Sequence, residues 1–326
     1  MSYIFLIIGF FLLIKGADIF VSGASNISKR LGIPSVIVGL TIVSLGTSAP
    51  ELAVSAISSI KGSNEIAVGN VLGSNLFNTL MVLGVTTIIM ALTIKKSEVK
   101  RDFSINILVT ILLLLLTFTT LLGGKDNYIS RLDGIVLLIG CISYITYLIL
   151  SVKRGKTTSE NIHEELALES TNEISIFKSI LKLIIGVAGI VIGGQIVVDS
   201  ATSIATSLGM SEKLVGLTIV AIGTSLPELV TSVVAAIKGE EDIALGNILG
   251  SNIFNILLII GLSSAISPIA VSSNLIFDFV FLIVVTSIIG IMIFANKSDE
   301  KRFGKKEGII LVALYVIYMI YIIIRN

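Results

Sequence analysis

Apolar runs of about 20 residues, separated by short polar loops, recur along the whole chain and constrain its fold more than any other feature. In hydrocarbon a backbone must satisfy its own hydrogen bonds, so runs of that length become helices. Ten can be placed, at residues 2–27, 33–60, 65–92, 103–123, 130–151, 175–206, 210–237, 242–266, 274–295 and 307–324. Only 14% of the chain is charged, against about 25% for a soluble domain. The expected fold class is an all-α polytopic membrane protein in a lipid bilayer. The first run, MSYIFLIIGFFLLIKGAD, has no basic segment before it and no small-residue cleavage site after it. It reads as a retained span, not a signal peptide.

One stretch occurs twice. VGLTIVSLGTSAPELAVS begins at Val38 and VGLTIVAIGTSLPELVTS at Val215. Thr47 and Thr224, Glu51 and Glu228, Ser74 and Ser251, and Asn78 and Asn255 all stand 177 residues apart. Between Val38–Gly84 and Val215–Gly261, 28 of 47 residues are identical. That is duplication, not shared apolar composition. Each half holds five spans, an odd number, so the second half enters the membrane in the opposite sense. The expectation is ten transmembrane helices arranged as two inverted five-helix repeats, an architecture of secondary transporters. The repeats cover residues 1–151 and 175–326, joined by a charged, Ser/Thr-rich cytoplasmic linker at 152–174.

Charge bias orients the chain. With the N-terminus outside, 16 lysines and arginines fall in inner loops. Five fall outside: Lys61, Lys125, Arg131, Lys213 and Arg325. The positive-inside rule then puts both termini outside and the linker in the cytoplasm. No basic cluster interleaved with aromatics points to nucleic acid.

The carboxylates carry the functional signal. Glu51 and Glu228 lie in apolar runs, where an acidic residue costs roughly 2.5–3.5 kcal/mol at mid-helix. Each follows a proline, Pro50 or Pro227. Proline removes one N–H and clashes with the carbonyl four residues back, which is Gly46 in the first copy. The helix is expected to loosen around Ser44–Ser48, and again around Ala221, Thr224 and Ser225, freeing carbonyl oxygens. Such backbone is tolerated at membrane depth where it is buried or lines a wet cavity. Carbonyls, hydroxyls and one carboxylate per half are hard ligands suited to calcium or sodium; without thiolate or imidazole, zinc and copper do not fit.

The next span supplies more oxygens. Asn70, Ser74 and Asn78 recur every four residues along one helix face, as do Asn247, Ser251 and Asn255. Gly69 with Gly73, and Gly246 with Gly250, permit close helix approach. The third span is expected to lay its glycine edge on the broken second span. Two ionised glutamates supply a charge of −2, which one divalent or two monovalent cations neutralise. Elsewhere, Lys15 and Asp18 are spaced to pair with each other, and Asp199 has no evident partner in sequence. Cys141 reads as a small core residue, His163 as a solvated linker residue, and Lys61-Gly62 and Lys238-Gly239 as glycine-capped helix ends.

At these residues the sequence resembles the calcium/cation antiporter superfamily and, within it, prokaryotic sodium/calcium exchangers. GTSAPE and GTSLPE look like the signatures of that family's two alpha repeats, and GNVLGSNLFN and GNILGSNIFN like their second parts. The resemblance implies electrogenic exchange of several sodium ions for one calcium by alternating access. It implies that Glu51 and Glu228 are the central ligands and that Thr47 and Thr224 offer carbonyls. Ser48, Ser74, Ser225 and Ser251, with the carbonyls of Ser44 and Ala221, would serve flanking sodium sites. Asn78 and Asn255 would border the centre, and the first and sixth spans would slide as the gate. Some relatives carry aspartate at the position of Asn255, associated with potassium co-transport; asparagine argues against that. The absence of a GNxxE pattern argues against calcium/proton exchange.

The expected function is therefore sodium/calcium antiport in the plasma membrane, by a monomer that uses no cofactor and is not an enzyme. Calcium/proton or other divalent-cation antiport is the alternative. A cation channel fits the inverted duplication less well. An intramembrane serine hydrolase would lack an activating base, because no histidine lies in a span.

Overall fold

The structure, a computed structural model, describes residues 1–60, 65–118, 127–159, 175–210, 221–295 and 298–325. It is mostly helical. In chain order the elements are α1 (Ser2–Leu31), α2 (Ser35–Val38), α3 (Ser44–Thr47), α4 (Ala49–Ile60), α5 (Glu65–Leu76), α6 (Leu83–Ile89) and β1 (Leu92–Lys95). Then come α7 (Lys96–Thr117), β2 (Tyr128–Ile129), α8 (Arg131–Ser159), α9 (Ile176–Ser207), α10 (Ala221–Gly223), α11 (Leu226–Ile237) and α12 (Glu241–Phe254). The last are α13 (Gly261–Ile266), β3 (Ile269–Ala270), α14 (Ile276–Phe294), β4 (Glu300–Phe303) and α15 (Lys305–Arg325). Wider π turns at Gly39–Val43, Phe77–Val82 and Asn255–Ile260 join α2 to α3, α5 to α6 and α12 to α13.

Among the described residues, 7 helices are long and apolar enough to cross a membrane. An eighth candidate is the pair Ser35–Thr47 and Ala49–Ile60, bent by 49°. The other two expected spans have physical reasons for falling short. Lys96, Lys100, Arg101 and Asp102 occupy the first turns of α7. Residues 211–220, which would precede α10 and α11, lie outside the described residues.

Exposure is arranged as for a bilayer. Ile7, Ile142, Ile291 and Ile317 on the outer helices are each 62–70% exposed, forming an apolar belt for lipid. The centre is instead made by the spans Ala67–Ile89 and Glu241–Ile266, whose apolar windows are 72% and 94% buried. α1 and α9 cross tightly through glycine: a Cβ on Gly16 would lie 2.6 Å from the Ile190 nitrogen, and one on Gly193 2.5 Å from the Leu13 nitrogen.

The all-α expectation needs correction. Antiparallel ribbons pair β1 with β4, Leu92 opposite Phe303, and β2 with β3, Ile129 opposite Ile269. They form where chain leaving a helix still has unpaired backbone groups. Both ribbons join the first half of the chain to the second. So do two glycine contacts, in which a Cβ on Gly308 would lie 2.5 Å from the Gly84 carbonyl and one on Gly134 2.7 Å from that of Gly261.

Two polar details and one helix end also differ from expectation. Asp18 pairs with Lys238 Nζ at 2.6 Å rather than with Lys15, because α11 ends beside α1. Asp199 accepts from Gln195 Nε2 at 2.8 Å. The helix entering the linker runs on to Ser159, beyond the expected end at 151, since its backbone bonds can continue in water. Gly239, at φ 75°, closes α11 as foreseen, and Cys141 is buried; Lys61, Gly62 and His163 lie outside the described residues.

Candidate cation site

The site is built at two helix breaks. α3 stops at Ser48 (φ −81°, ψ 8°) and α10 before Ser225 (φ −95°, ψ 5°). Both serines sit near the bridge region that ends a helix. A new helix starts immediately, with Pro50 or Pro227 in its first turn, where a missing N–H costs nothing. Glu51 and Glu228 therefore occupy first turns as well. The positive end of each restarted helix faces its own carboxylate, which offsets part of the burial cost, up to about 2 kcal/mol in partly buried geometry. In the first copy the loosening begins earlier than expected, as the π turn at Gly39–Val43.

Each carboxylate is held by the opposite half. Ser48 Oγ donates to Glu228 Oε1 at 2.8 Å, and Ser225 Oγ donates to Glu51 Oε1 at 3.1 Å. Ser251 Oγ lies 3.5 Å from Glu228 Oε1 and 3.1 Å from Ser48 Oγ. Ser74 Oγ lies 3.1 Å from Ser225 Oγ. The second oxygen of both Glu51 and Glu228 is buried without a hydrogen-bond partner. The two carboxylates also repel one another electrostatically. Each carboxylate thus keeps one buried oxygen unsatisfied, and leaving such charge unneutralised is costly.

The third span does not lay its glycine edge on the second, since a Cβ on Gly69 or Gly73 meets nothing within 4 Å among the described residues; the eighth span packs there instead. A Cβ on Gly246 would lie 2.5 Å from the Val36 carbonyl, and one on Gly250 2.6 Å from that of Leu40. The second half's glycine edge thus rests on the first half's broken span. The reason is the bend at Ser48, which turns α2 and α3 away from α4 and toward α12.

Of the predicted residues, Glu51, Glu228, Ser48, Ser225, Ser74 and Ser251 are brought together and buried. Thr47 Oγ1 donates to Asn247 Oδ1 at 3.0 Å, while Asn247 Nδ2 donates to Ser232 Oγ at 2.9 Å. Thr224 lies half-buried at the second break, and Ala221 opens α10. The Ser44 carbonyl accepts from Ser48 N–H at 2.9 Å and from Thr47 Oγ1 at 3.2 Å, so its own helix engages it. Asn78 is buried with neither amide atom partnered, and Asn255 has an unpartnered Oδ1.

Sequence reasoning missed Asn75 and Asn252. Asn75 Nδ2 donates to the Asn252 carbonyl at 3.1 Å, Asn255 Nδ2 to Asn75 Oδ1 at 3.0 Å, and Asn252 Nδ2 to Thr79 Oγ1 at 2.9 Å. The first asparagine in each GSNxFN is a visible signal, but it lies off the four-residue face of Asn70, Ser74 and Asn78 and of its duplicate. Also missed were two buried aspartates, Asp102 and Asp278, which accept from Tyr144 and Tyr318 at 3.0 Å each. Arg101 and Arg325 pair with them at 2.7 and 3.0 Å. They brace α7 against α8 and α14 against α15 and lie apart from the carboxylate centre.

Known proteins resemble the chain over nearly its whole length. The family described as sodium/calcium exchanger protein matches at residues 1–153 and 178–324. The sodium/calcium exchanger MaX1 of Methanosarcina acetivorans is 31% identical, covering 98% of this chain and 97% of its own. The inner membrane protein YrbG of Escherichia coli is 36% identical, covering 81% of this chain and 79% of its own. The solved structure of the sodium/calcium exchanger from Methanococcus jannaschii superposes with a TM-score of 0.81 at 28% identity, covering 98% of this chain and 97% of that one. A chain with two such motifs, matched end to end, belongs to the sodium/calcium exchanger protein family.

Proposed function

We propose that the chain is a multi-pass membrane antiporter that exchanges sodium for calcium by alternating access. The observation that carries this reading is the reciprocal pair, Ser48 on Glu228 and Ser225 on Glu51, with one unpartnered oxygen left on each carboxylate. A divalent ion satisfies both oxygens and cancels both charges, and so do two monovalent ions. An empty site leaves two repelling carboxylates in a low-dielectric interior, so moving it across the membrane is costly. That cost couples outward movement of one cation to inward movement of the other.

In this reading Glu51 and Glu228 are the central ligands. Thr47 and Thr224 offer backbone carbonyls, Ser48, Ser74, Ser225 and Ser251 with the carbonyls of Ser44 and Ala221 serve flanking sodium sites, and Asn78 and Asn255 border the centre. Sodium at Ser44 would have to displace the Thr47 hydroxyl from that carbonyl. Ten helices cross the bilayer as two inverted repeats, 1–151 and 175–326, with a cytoplasmic linker at 152–174 and both termini outside. The cross-half ribbons support the inversion, since each pairs a strand that follows a third or eighth span with one from the opposite half. The membrane is the plasma membrane, a placement favoured by the inner-membrane relative. α1 and α9, packed on each other through glycine, form the sliding gate, and the monomer is the working unit.

Purified protein in vesicles tests this. Sodium-loaded vesicles diluted into sodium-free medium should take up calcium, with no need for potassium. Uptake that ignores sodium and follows a pH gradient would instead favour calcium/proton exchange on the same glutamates.

A further inference from the structure

We infer that Asn75 is a positioning residue that sets which end of the Asn255 amide faces the cation site. An asparagine side chain has two ends of similar shape and opposite chemistry, one a donor and one an acceptor. Which end faces a cation decides whether it attracts or repels. The orientation of Asn255 is dictated by a chain of hydrogen bonds that begins at a backbone carbonyl.

The Asn252 carbonyl can only accept. Asn75 therefore turns its Nδ2 toward it, at 3.1 Å. That leaves Asn75 Oδ1 pointing the other way, and Asn255 must answer with its Nδ2, at 3.0 Å. The remaining end of Asn255 is Oδ1, which is buried and without a partner. Asn255 lies one helical turn beyond Ser251, whose hydroxyl is at the Glu228 carboxylate. The oxygen end is thus held ready for a cation before one arrives, and no reorientation is needed on binding.

The first copy lacks this device, for a reason visible in the residues. The duplicate of Asn75 is Asn252, and the duplicate of Asn255 is Asn78. Asn252 gives its Nδ2 to Thr79 Oγ1 at 2.9 Å. The second copy has Ile256 in place of Thr79 and offers no such hydroxyl. Asn252 Oδ1 is left unpartnered, and Asn78 has no partner at either amide atom. Asn255 is oriented in advance, whereas Asn78 is not.

The inference rests on the proposed cation site, and its test is a double-mutant cycle. Replacing Asn255 with aspartate makes both ends of that side chain oxygen, so orientation ceases to matter. Calcium uptake into vesicles is measured for the full chain, for Asn75→Ala, for Asn255→Asp and for the double variant. Asn75→Ala should raise the half-saturating calcium concentration about tenfold, roughly the worth of one buried hydrogen bond, with little change in maximal rate. In the Asn255→Asp background the same substitution should change it by less than about twofold. Asn75→Ser, too short to bridge both partners, should behave like Asn75→Ala and covers a folding failure of the latter. The calcium-dependent rise in melting temperature gives the same comparison at equilibrium. Equal shifts in both backgrounds, or no shift in either, would overturn the inference. Sodium dependence of wild-type uptake decides the antiport reading separately.

Discussion

Gly246 and Asn247 of the second copy are buried against α2 and α3, while Gly69 of the first copy is exposed and Asn70 half-buried. The same holds along the glutamate helices: Ala53 and Val54 are exposed, and their counterparts Val230 and Thr231 are not. Polar satisfaction follows the packing. Asn247 donates to Ser232, whereas Asn70 Nδ2 and Ser55 Oγ have no partner. Gly69-Asn70 and Gly246-Asn247 are identical pairs, so residue type does not explain their different burial. Among the described residues one duplicated surface is covered, by α2 and α3; residues 211–220, the counterparts of that cover for the other surface, lie outside them. An inverted repeat that covered and uncovered its two glycine edges in turn would expose the centre first on one side and then on the other.

The largest expected effect tests what the copies share. Glu51→Gln and Glu228→Gln each remove half the charge facing a divalent ion. Both should reduce calcium transport by about 100-fold or more, as truncating a buried charged partner does, while membrane insertion persists. Substantial exchange by either variant in a vesicle assay would break the symmetry of the ligand set.

Next is the packing difference. In Gly246→Ala the new Cβ meets backbone at 2.5 Å, which cannot move aside cheaply. Overpacking of this kind costs about 1–3 kcal/mol, and thermal melting of purified protein should show it. Gly69→Ala meets nothing within 4 Å among the described residues, so its melting should stay near wild type. Its transport should nonetheless slow, because the duplication predicts that this edge packs as the Gly246 edge does. Equal melting losses in the two variants would contradict the comparison.

Asn255→Asp adds a titratable group beside two carboxylates. Protons then compete with the transported cations, and uptake should become more pH-dependent than in wild type. An unchanged pH profile would remove Asn255 from the site. The smallest effect concerns how the second copy is fastened to α1. Lys238 pairs with Asp18 at 2.6 Å, and Glu240 accepts from Ser25 and pairs with Lys29 at 3.4 Å. These contacts tie the end of α11 to α1. Because they are partly exposed, each is worth about 1 kcal/mol or less. Lys238→Ala should alter the transport rate by about fivefold at most, with the change fading in high salt.

Local periodicity made much of this legible. Runs of apolar residues marked the spans, the 177-residue offset marked the duplication, and proline before glutamate marked both helix breaks. What stayed hidden depends on which helices meet. Ser74 and Glu51 belong to one half, yet Ser74 lies beside Ser225 and Glu51 accepts from Ser225. Nothing in helical spacing indicates that exchange across the halves. Asn75 was passed over because it sits one residue off the face carrying Ser74 and Asn78, although the neighbouring helix gives it two partners. Lys238 and Asp18, 220 residues apart, meet only after α1 has folded against α11.

Calcium binding at equilibrium tests most directly whether both halves build one site. Purified wild-type protein should bind a single calcium ion per chain at the centre and release it to sodium. Glu51→Gln and Glu228→Gln should each lose that binding entirely. If each variant instead kept half of the calcium bound by a wild-type chain holding two ions, every copy would carry its own site and the convergent centre would be contradicted.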